Sequence, residues 1–313
     1  MKSSGFVIKF YNIVFLILML LLFSFPVSAA EKTVGVLMTG SIPYYKDIHK
    51  AFTEALTAEG LGPASVTIVL QSPNPEPMSW SNAARKLVAV GSDVIVAYGA
   101  PATLSVLHET SDIPVIFAGV YDPQAVGIVG KNATGISSKV PVASVLKNLK
   151  SISNFSMLGV VYSDTEKDTL LQANDVKQLE NSLGFRSMRF NIKRVEDITK
   201  IANVDALFLS TSCAAMHCVA NVVGVARKAK IPTATTIGGG ENSGIILTIA
   251  ANPQEQGREA ARLAARVIKG IKPSSLPVEQ PKKIDLIINL KEATDMGLKV
   301  PFDLLTAATK VIK

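Results

Sequence analysis

The sequence predicts an α/β chain built as two doubly wound lobes around mostly parallel sheets. Short β-branched segments alternate with longer segments of helical periodicity, the pattern of βαβ units. Most strand segments are continuous apolar runs, as expected where helices cover both faces of a sheet. The alternation restarts midway without a long flexible linker, which predicts two units joined by short crossings beside a cleft.

The first strand is expected over Thr33–Met38, followed by a helix across Tyr44–Glu59 in which Ile48, Phe52, Ala55 and Leu56 share a face. Next come a strand at Val66–Leu70, a helix over Ser79–Val90, a strand at Asp93–Tyr98, a helix from Ala102 and a strand at Val115–Ala118. The pattern restarts after Asn132–Ser137 with a helix at Val142–Leu149, a strand at Met157–Tyr162 and a long polar helix from Glu166 to Leu183. Strands near Ser187–Ile192 and at Asp205–Leu209, a helix over Met216–Ala229 and a strand at Thr233–Ile237 complete the second unit.

The glycine-rich stretch from Gly238 to Gly244 reads as a flexible turn between two strands. Asn252 and Pro253 then introduce a helix with Ala260, Leu263, Ala264, Val267 and Ile268 on one face and Arg258, Arg262, Arg266 and Lys269 largely opposite. Gly270 stops that helix, and Pro273, Pro277 and Pro281 hold an extended connection. A strand is expected at Ile284–Leu290, and the tail is expected to end in helical segments.

Residues 1–30 have the order of a cleaved secretory leader: Lys2 and Lys9, an apolar run from Ile13 to Phe25, Pro26, then the small residues Val27, Ser28, Ala29 and Ala30. The apolar run is shorter than the roughly 20 residues of a spanning helix. No cysteine stands near the cleavage site to accept a lipid, so a freely diffusing periplasmic protein is expected. Removing Lys2 and Lys9 from 32 basic residues leaves 30 against 25 acidic ones. The basic residues are scattered, with no stripe to follow a phosphate backbone, so nucleic acid is not an expected partner. Cys213 and Cys218 are the two cysteines. An oxidising compartment permits a disulfide between them, but only with Cys213 in the loop before the helix, because within one helix the two face different ways. His217 adds at most a third ligand beside them, and neighbouring helical residues do not converge, so no metal or other cofactor is expected.

No catalytic set stands out. His49, His108 and His217 lack metalloprotease spacing and nucleophile motifs and read as helix-surface residues. Ser243 lies three residues after Gly240, where a nucleophile elbow places it two after. An exported enzyme is therefore the weakest reading. What recurs is a polar or aromatic residue where a strand ends, the edge at which open α/β sheets bind ligands. These are Ser41, Tyr44 and Tyr45, then Tyr98, Gly99 and Ala100, then Tyr121 and Asp122, with Ser137. In the second unit they are Tyr162, Ser163, Asp164 and Glu166, then Ser210, Thr211 and Ser212. Tyr11 lies in the leader, and the other five of the six tyrosines all belong to this set.

At these positions the chain resembles a known family. Asp93–Ala102, Asp112–Phe117, Tyr121-Asp122-Pro123, Asn132–Ser137 and Ile288–Ala293 with Gly297, Leu298 and Pro301 look like the ABC transporter substrate-binding proteins typified by tryptophan- and tyrosine-binding members. The resemblance spans nearly all of the mature chain. It implies a type I periplasmic binding protein fold, with two Rossmann-like lobes closing on a small molecule. The implied first lobe is residues 31–138 plus about 253–272, and the second 139–252 plus about 273–313. By position, Tyr98–Thr103 would line the cleft and Asp122-Pro123 would sit near the crossing. Amino-acid-binding relatives tend to carry an acidic residue after the strand that here ends at Leu209, and this chain has Ser210-Thr211-Ser212-Cys213 instead. An ammonium ligand would then need Asp122, Asp164, Glu166 or Glu241 as its partner.

The expected function is an extracytoplasmic solute-binding protein of an ABC-type importer, a monomer closing on a small polar or aromatic solute, amino acids included, and meeting a permease. The alternative is a periplasmic sensory protein that uses the same cleft to signal to a membrane receptor or kinase.

Overall fold

The computed structural model describes residues 31–239 and 241–313, the side chain of Glu241 excepted; the expected leader lies outside the described residues. Lys32–Lys313 form one compact unit. No helix among the described residues is long and apolar enough to cross a membrane.

The first lobe is β1 (Lys32–Met38), α1 (Pro43–Ala58), β2 (Val66–Gln71), α2 (Pro77–Ala89), β3 (Val94–Tyr98), α3 (Ala100–Glu109), β4 (Val115–Val120) and β5 (Ala133–Ser137). Its sheet is wholly parallel, in the order β2-β1-β3-β4-β5. β3 and β4 are buried along their whole lengths, which is why they read as unbroken apolar runs.

The second lobe comprises α4 (Val142–Ile152), β6 (Met157–Tyr162), α5 (Lys167–Leu183), β7 (Arg186–Asn191), β8 (Ala206–Leu209), α6 (Cys213–His217), α7 (Val219–Ala229), β9 (Thr233–Thr235) and β10 (Leu247–Ala251). The chain then returns to the first lobe as α8 (Pro253–Ile268), which packs along α1 and against β3, β4 and β5. The Asn252 side chain caps α8 by accepting from Glu255 N at 2.9 Å, and Pro253 opens it, as the sequence signals predict. β11 (Ile284–Asn289), α9 (Leu290–Asp295), α10 (Phe302–Ala307) and β12 (Lys310–Ile312) finish in the second lobe. Its sheet runs β12-β11-β10-β9-β8-β6-β7, with β11 antiparallel to β10.

Two expectations are corrected. The single helix expected over Met216–Ala229 is two, α6 and α7, divided at Cys218, whose backbone (φ −113°, ψ 24°) closes one and opens the other. The tail does not end in helix: β12 pairs parallel with β11, supplying a hydrogen-bonding edge that a three-residue segment does not advertise in sequence.

Three crossings between the lobes are bound to one another. Ser137 N donates to Glu279 O at 2.9 Å and Glu279 N to Gly135 O at 2.8 Å, so the third crossing lies along the edge of β5. Glu255 accepts Lys283 N at 2.9 Å and Lys282 N at 3.1 Å, and Asn252 N donates to Lys283 O at 3.0 Å. The β4–β5 register shifts between Phe117 and Val120. Fully buried Gln256 takes the Gly119 amide at 2.8 Å and donates to Ser137 O at 2.9 Å, tying α8 to both strands.

Replacing Gln256 with Ala would leave a buried amide and a buried carbonyl unpaired. A loss of about 2–4 kcal/mol of unfolding free energy is expected from urea denaturation.

Candidate functional site

The first-lobe half is built where β1 and β3 end. Thr39 Oγ1 donates to Tyr98 O at 2.8 Å and accepts Ala102 N at 3.3 Å, while Trp80 Nε1 donates to Thr39 O at 2.7 Å. Thr39 and Trp80 thereby fix the loop after β1 against the amino end of α3. Tyr45 projects from α1 over Gly99, packed so closely that a Cβ on Gly99 would overlap both its hydroxyl and Thr39 Oγ1. The Tyr98 ring turns into its own lobe, edge-on to Phe52, with its hydroxyl 3.3 Å from His49 Nδ1.

The second-lobe half centres on the start of α5. Glu166, 1 % exposed, reaches the amino end of α6: Oε2 accepts Cys213 N at 2.8 Å, and Oε1 accepts Ser212 Oγ at 2.8 Å and Ala214 N at 3.2 Å. Ser212 Oγ in turn accepts Ala215 N, so the orphan amides of this short helix are met by a hydroxyl and a distant carboxyl. Burial pushes the Glu166 carboxyl up, against the pull of these donors. Two residues on, Asp168 is also 1 % exposed. Backbone hydrogen bonds at Asp168 and Thr169 act on its carboxyl, Oδ2 receives a long bond from Thr211 Oγ1 at 3.4 Å, and Oδ1 has no hydrogen bond of full geometry. Burial first, and the charge of Glu166 second, push the Asp168 carboxyl up to about 7. Gln172, one turn further, accepts Thr211 N at 2.9 Å and Thr236 Oγ1 at 3.2 Å.

The two halves touch. Gly40 lies against α6, where a Cβ would stand 2.6 Å from Cys213 Sγ and 3.0 Å from His217 Nε2. Reciprocally, Gly239 (φ +88°) meets the start of α1, where a Cβ would stand 2.7 Å from Pro43 Cβ. The glycine run expected as a flexible turn is thus also a point of close approach between lobes. Tyr121 Oη donates to Asp175 Oδ2 on α5 at 2.9 Å. Burial and the nearby Cys213, Asp168 and Glu166 groups push the Tyr45 hydroxyl well above the ordinary tyrosine range, which brings α1, α5 and α6 to one place. A groove of about 540 Å³ opens beside it, between Pro75, Glu76, Pro77 and Met78 of the first lobe and Thr165, Lys193, Arg194 and Ala214 of the second.

The expected set of residues is therefore sorted. Tyr45, Gly99, Ala100, Glu166, Thr211 and Ser212 are buried around the contact between the lobes, and Ser163 anchors the adjacent loop through Thr165 Oγ1 at 2.9 Å and Thr169 Oγ1 at 3.2 Å. Tyr44 donates to Ala251 O at 3.1 Å, at the foot of the crossing. Tyr121 and Ser137 are joined there too, Ser137 Oγ donating to Tyr121 O at 3.0 Å. Ser41 is exposed, and Tyr162 is half-buried against the second-lobe core. Ser210 Oγ donates to Val161 O at 2.9 Å, within its own sheet.

The carboxyls offered as ammonium partners are engaged. Asp122 caps Ala125 N and pairs with Lys139 at 2.6 Å, Asp164 is exposed and pairs with Lys193 at 2.8 Å, and Glu166 serves α6. The Glu241 side chain lies outside the described residues. Cys213 and Cys218 are free thiols: Cys213 begins α6 instead of preceding it, and Cys218 Sγ donates to Ala214 O at 3.3 Å. His49 is not a simple surface residue, since it is half-buried against Tyr98.

Sequence reasoning passed over Thr39, Gly40, Trp80, Asp168 and Gln172. Asp168, Gln172 and Asp175 stand at i, i+4 and i+7, a polar stripe on one face of α5 that a helix described as polar throughout conceals.

Residues 33–312 match the family model for ABC transporter substrate binding proteins. This chain belongs to that family. The solved structures similar to this substrate-binding protein include a Streptococcus pneumonia ABC domain in complex with L-Trp, 24% identical over 90% of this chain and 100% of that one, with a TM-score of 0.86. A Vibrio cholerae conserved domain protein is 23% identical, over 90% and 99% of the two chains, also with a TM-score of 0.86. The ligand-free, open structure of a Clostridium difficile substrate binding protein with adhesive properties is 22% identical, over 90% and 99%, with a TM-score of 0.65. The fold is that of a type I periplasmic binding protein, two Rossmann-like lobes with a ligand cleft between them.

Because the Asp168 carboxyl is raised, the folded protein holds a proton that the unfolded chain releases between about pH 4 and about pH 7. Its contribution to stability is complete below that window and lost as pH rises through it. Asp168→Asn is expected to gain in thermal midpoint relative to the parent from pH 4 to pH 8, with the gain levelling off above about pH 7. Melts across a buffer series check this, and a difference independent of pH would contradict it.

Proposed function

We propose that this substrate-binding protein is the extracytoplasmic receptor of an ABC-type importer, and that its lobes close on a small polar or aromatic solute, amino acids included. The observation that carries this reading is the meeting of two strand-end mouths through reciprocal glycine approaches, Gly40 on α6 and Gly239 on α1. Lobes that seat against each other this closely cover whatever lies between them, and hinge closure is how two such lobes hold a solute. The L-Trp bound to the pneumococcal structure supports a solute of that size and class.

On this reading the lobes are residues 31–138 with about 253–272 and residues 139–252 with about 273–313, and residues 1–30 are the leader removed on export to the periplasm. The protein acts as a monomer that presents its closed form to a permease. Chemistry on the solute is not part of the proposal. Burial and the neighbouring Glu166 and Asp168 push the Cys213 thiol well above its usual range, the opposite of what a nucleophile requires, and the His49 ring faces Tyr98.

Calorimetry of the mature protein against a metabolite panel is expected to find a one-to-one ligand, and silence across the panel would overturn the receptor reading. Gly40→Val is expected to weaken that ligand by about tenfold or more while leaving the ligand-free thermal midpoint unchanged, because the added carbons meet Cys213 only when the lobes are together. Intact mass of the exported protein is expected to show Glu31 as the first residue.

A further inference from the structure

We propose that Tyr121 is the pivot of lobe closure, and that its bond to Asp175 keeps part of the solute-free protein closed. The inference rests on the receptor reading above and gives Tyr121 a positioning role instead of a contact with solute. Tyr121 follows β4 in the first lobe, yet it is 1 % exposed and belongs to the apolar core of the second. Among the described residues it is the one first-lobe member of that core, whose other buried members run from Val140 to Leu304. Leu171 makes the reverse contact. It stands on α5 of the second lobe and packs against both that core and the first-lobe core that holds Ala102 and Val106 of α3.

The residue is anchored beside the first crossing. Ser137 Oγ donates to Tyr121 O at 3.0 Å, and Ser138 N donates to Val120 O at 2.7 Å. Lys139, the next residue along, pairs with Asp122 at 2.6 Å and sets its ammonium 5.7 Å from the centre of the Tyr121 ring. A hinge turn displaces points beside a crossing least and points at the mouths most. The Tyr121 ring can therefore stay seated in the second lobe while Gly40 and Cys213 part.

The bond at the ring's tip fixes the angle of that turn. Tyr121 Oη donates to Asp175 Oδ2 at 2.9 Å. Burial first, and the charge of Asp175 second, push the Tyr121 hydroxyl far above the ordinary tyrosine range, so its proton stays in place to be donated. Leu171 and Asp175 stand one turn apart on α5, so packing and bond engage the same face of the helix. A carboxylate acceptor makes such a bond stronger than a neutral pair. Turning α5 away from the first lobe stretches the bond before it unseats the ring. The bond thereby favours the angle at which Gly40 meets α6, whether or not a solute is present.

The test uses the mature protein without solute. Nitroxides are placed through Met78→Cys and Val195→Cys, exposed positions on opposite lobes, in a background carrying Cys213→Ser and Cys218→Ser. Their separation is read by pulsed electron resonance, and a shorter, closed population is expected beside a longer, open one. Tyr121→Phe keeps the ring and loses the bond, and is expected to lower the closed-to-open ratio about tenfold. Asp175→Ala, at a half-buried helix position, is expected to lower it by a similar factor, and the double variant no further. The inference is overturned if the background shows one population alone, if Tyr121→Phe leaves the ratio within about twofold, or if the two single effects multiply in the double variant. A Tyr121 that served stability alone would lower the thermal midpoint of Tyr121→Phe and leave the ratio unmoved, which also overturns it. The receptor reading is decided by the metabolite panel and these distances are read without solute, so either can fail while the other stands.

Discussion

Everything at the centre of this molecule follows from how the three crossings between its sheets are bound to one another. The backbone passes between lobes after β5, before α8 and before β11, and Glu255, Asn252, Gln256 and Glu279 join these strands by hydrogen bonds that leave few of their polar groups unmet. With the crossings held side by side, the carboxyl ends of β1 and β3 in one sheet face those of β6 and β8 in the other. A parallel sheet gathers its loops at one end, and two sheets opposed in this way enclose a space between loops.

That space is lined according to a division of labour. On the first lobe the polar groups satisfy one another: Thr39, Trp80, Tyr98 and His49 form a closed set that fixes loop positions. On the second lobe satisfaction is incomplete. Glu166 meets the orphan amides of α6 and in doing so holds a second carboxyl, Asp168, in a buried place with one acceptor atom unmatched.

The overall plan was legible because it rests on periodicity. Continuous apolar runs such as Val94–Tyr98 and Val115–Val120 marked central parallel strands, and Asn252-Pro253 and Gly270 marked the ends of α8. Short elements were not legible. β12 is three residues whose pairing depends on β11, and the break at Cys218 depends on α6 being claimed by Glu166, a residue 47 positions from Cys213. Local sequence carries no trace of a partner that distant.

For the site, the sequence by itself determined which loops converge and that they carry hydroxyls and tyrosines. It could not rank the acids. Asp122, Asp164 and Glu166 are alike in sequence, but folding gives Asp122 to Lys139, Asp164 to Lys193 and Glu166 to α6. Only the tertiary structure decided that Asp168, inside a helix read as polar, is buried with one carboxyl oxygen unbonded. Strand and helix periods are properties of neighbouring residues, whereas burial and unmet hydrogen bonding are properties of what the rest of the chain brings against them.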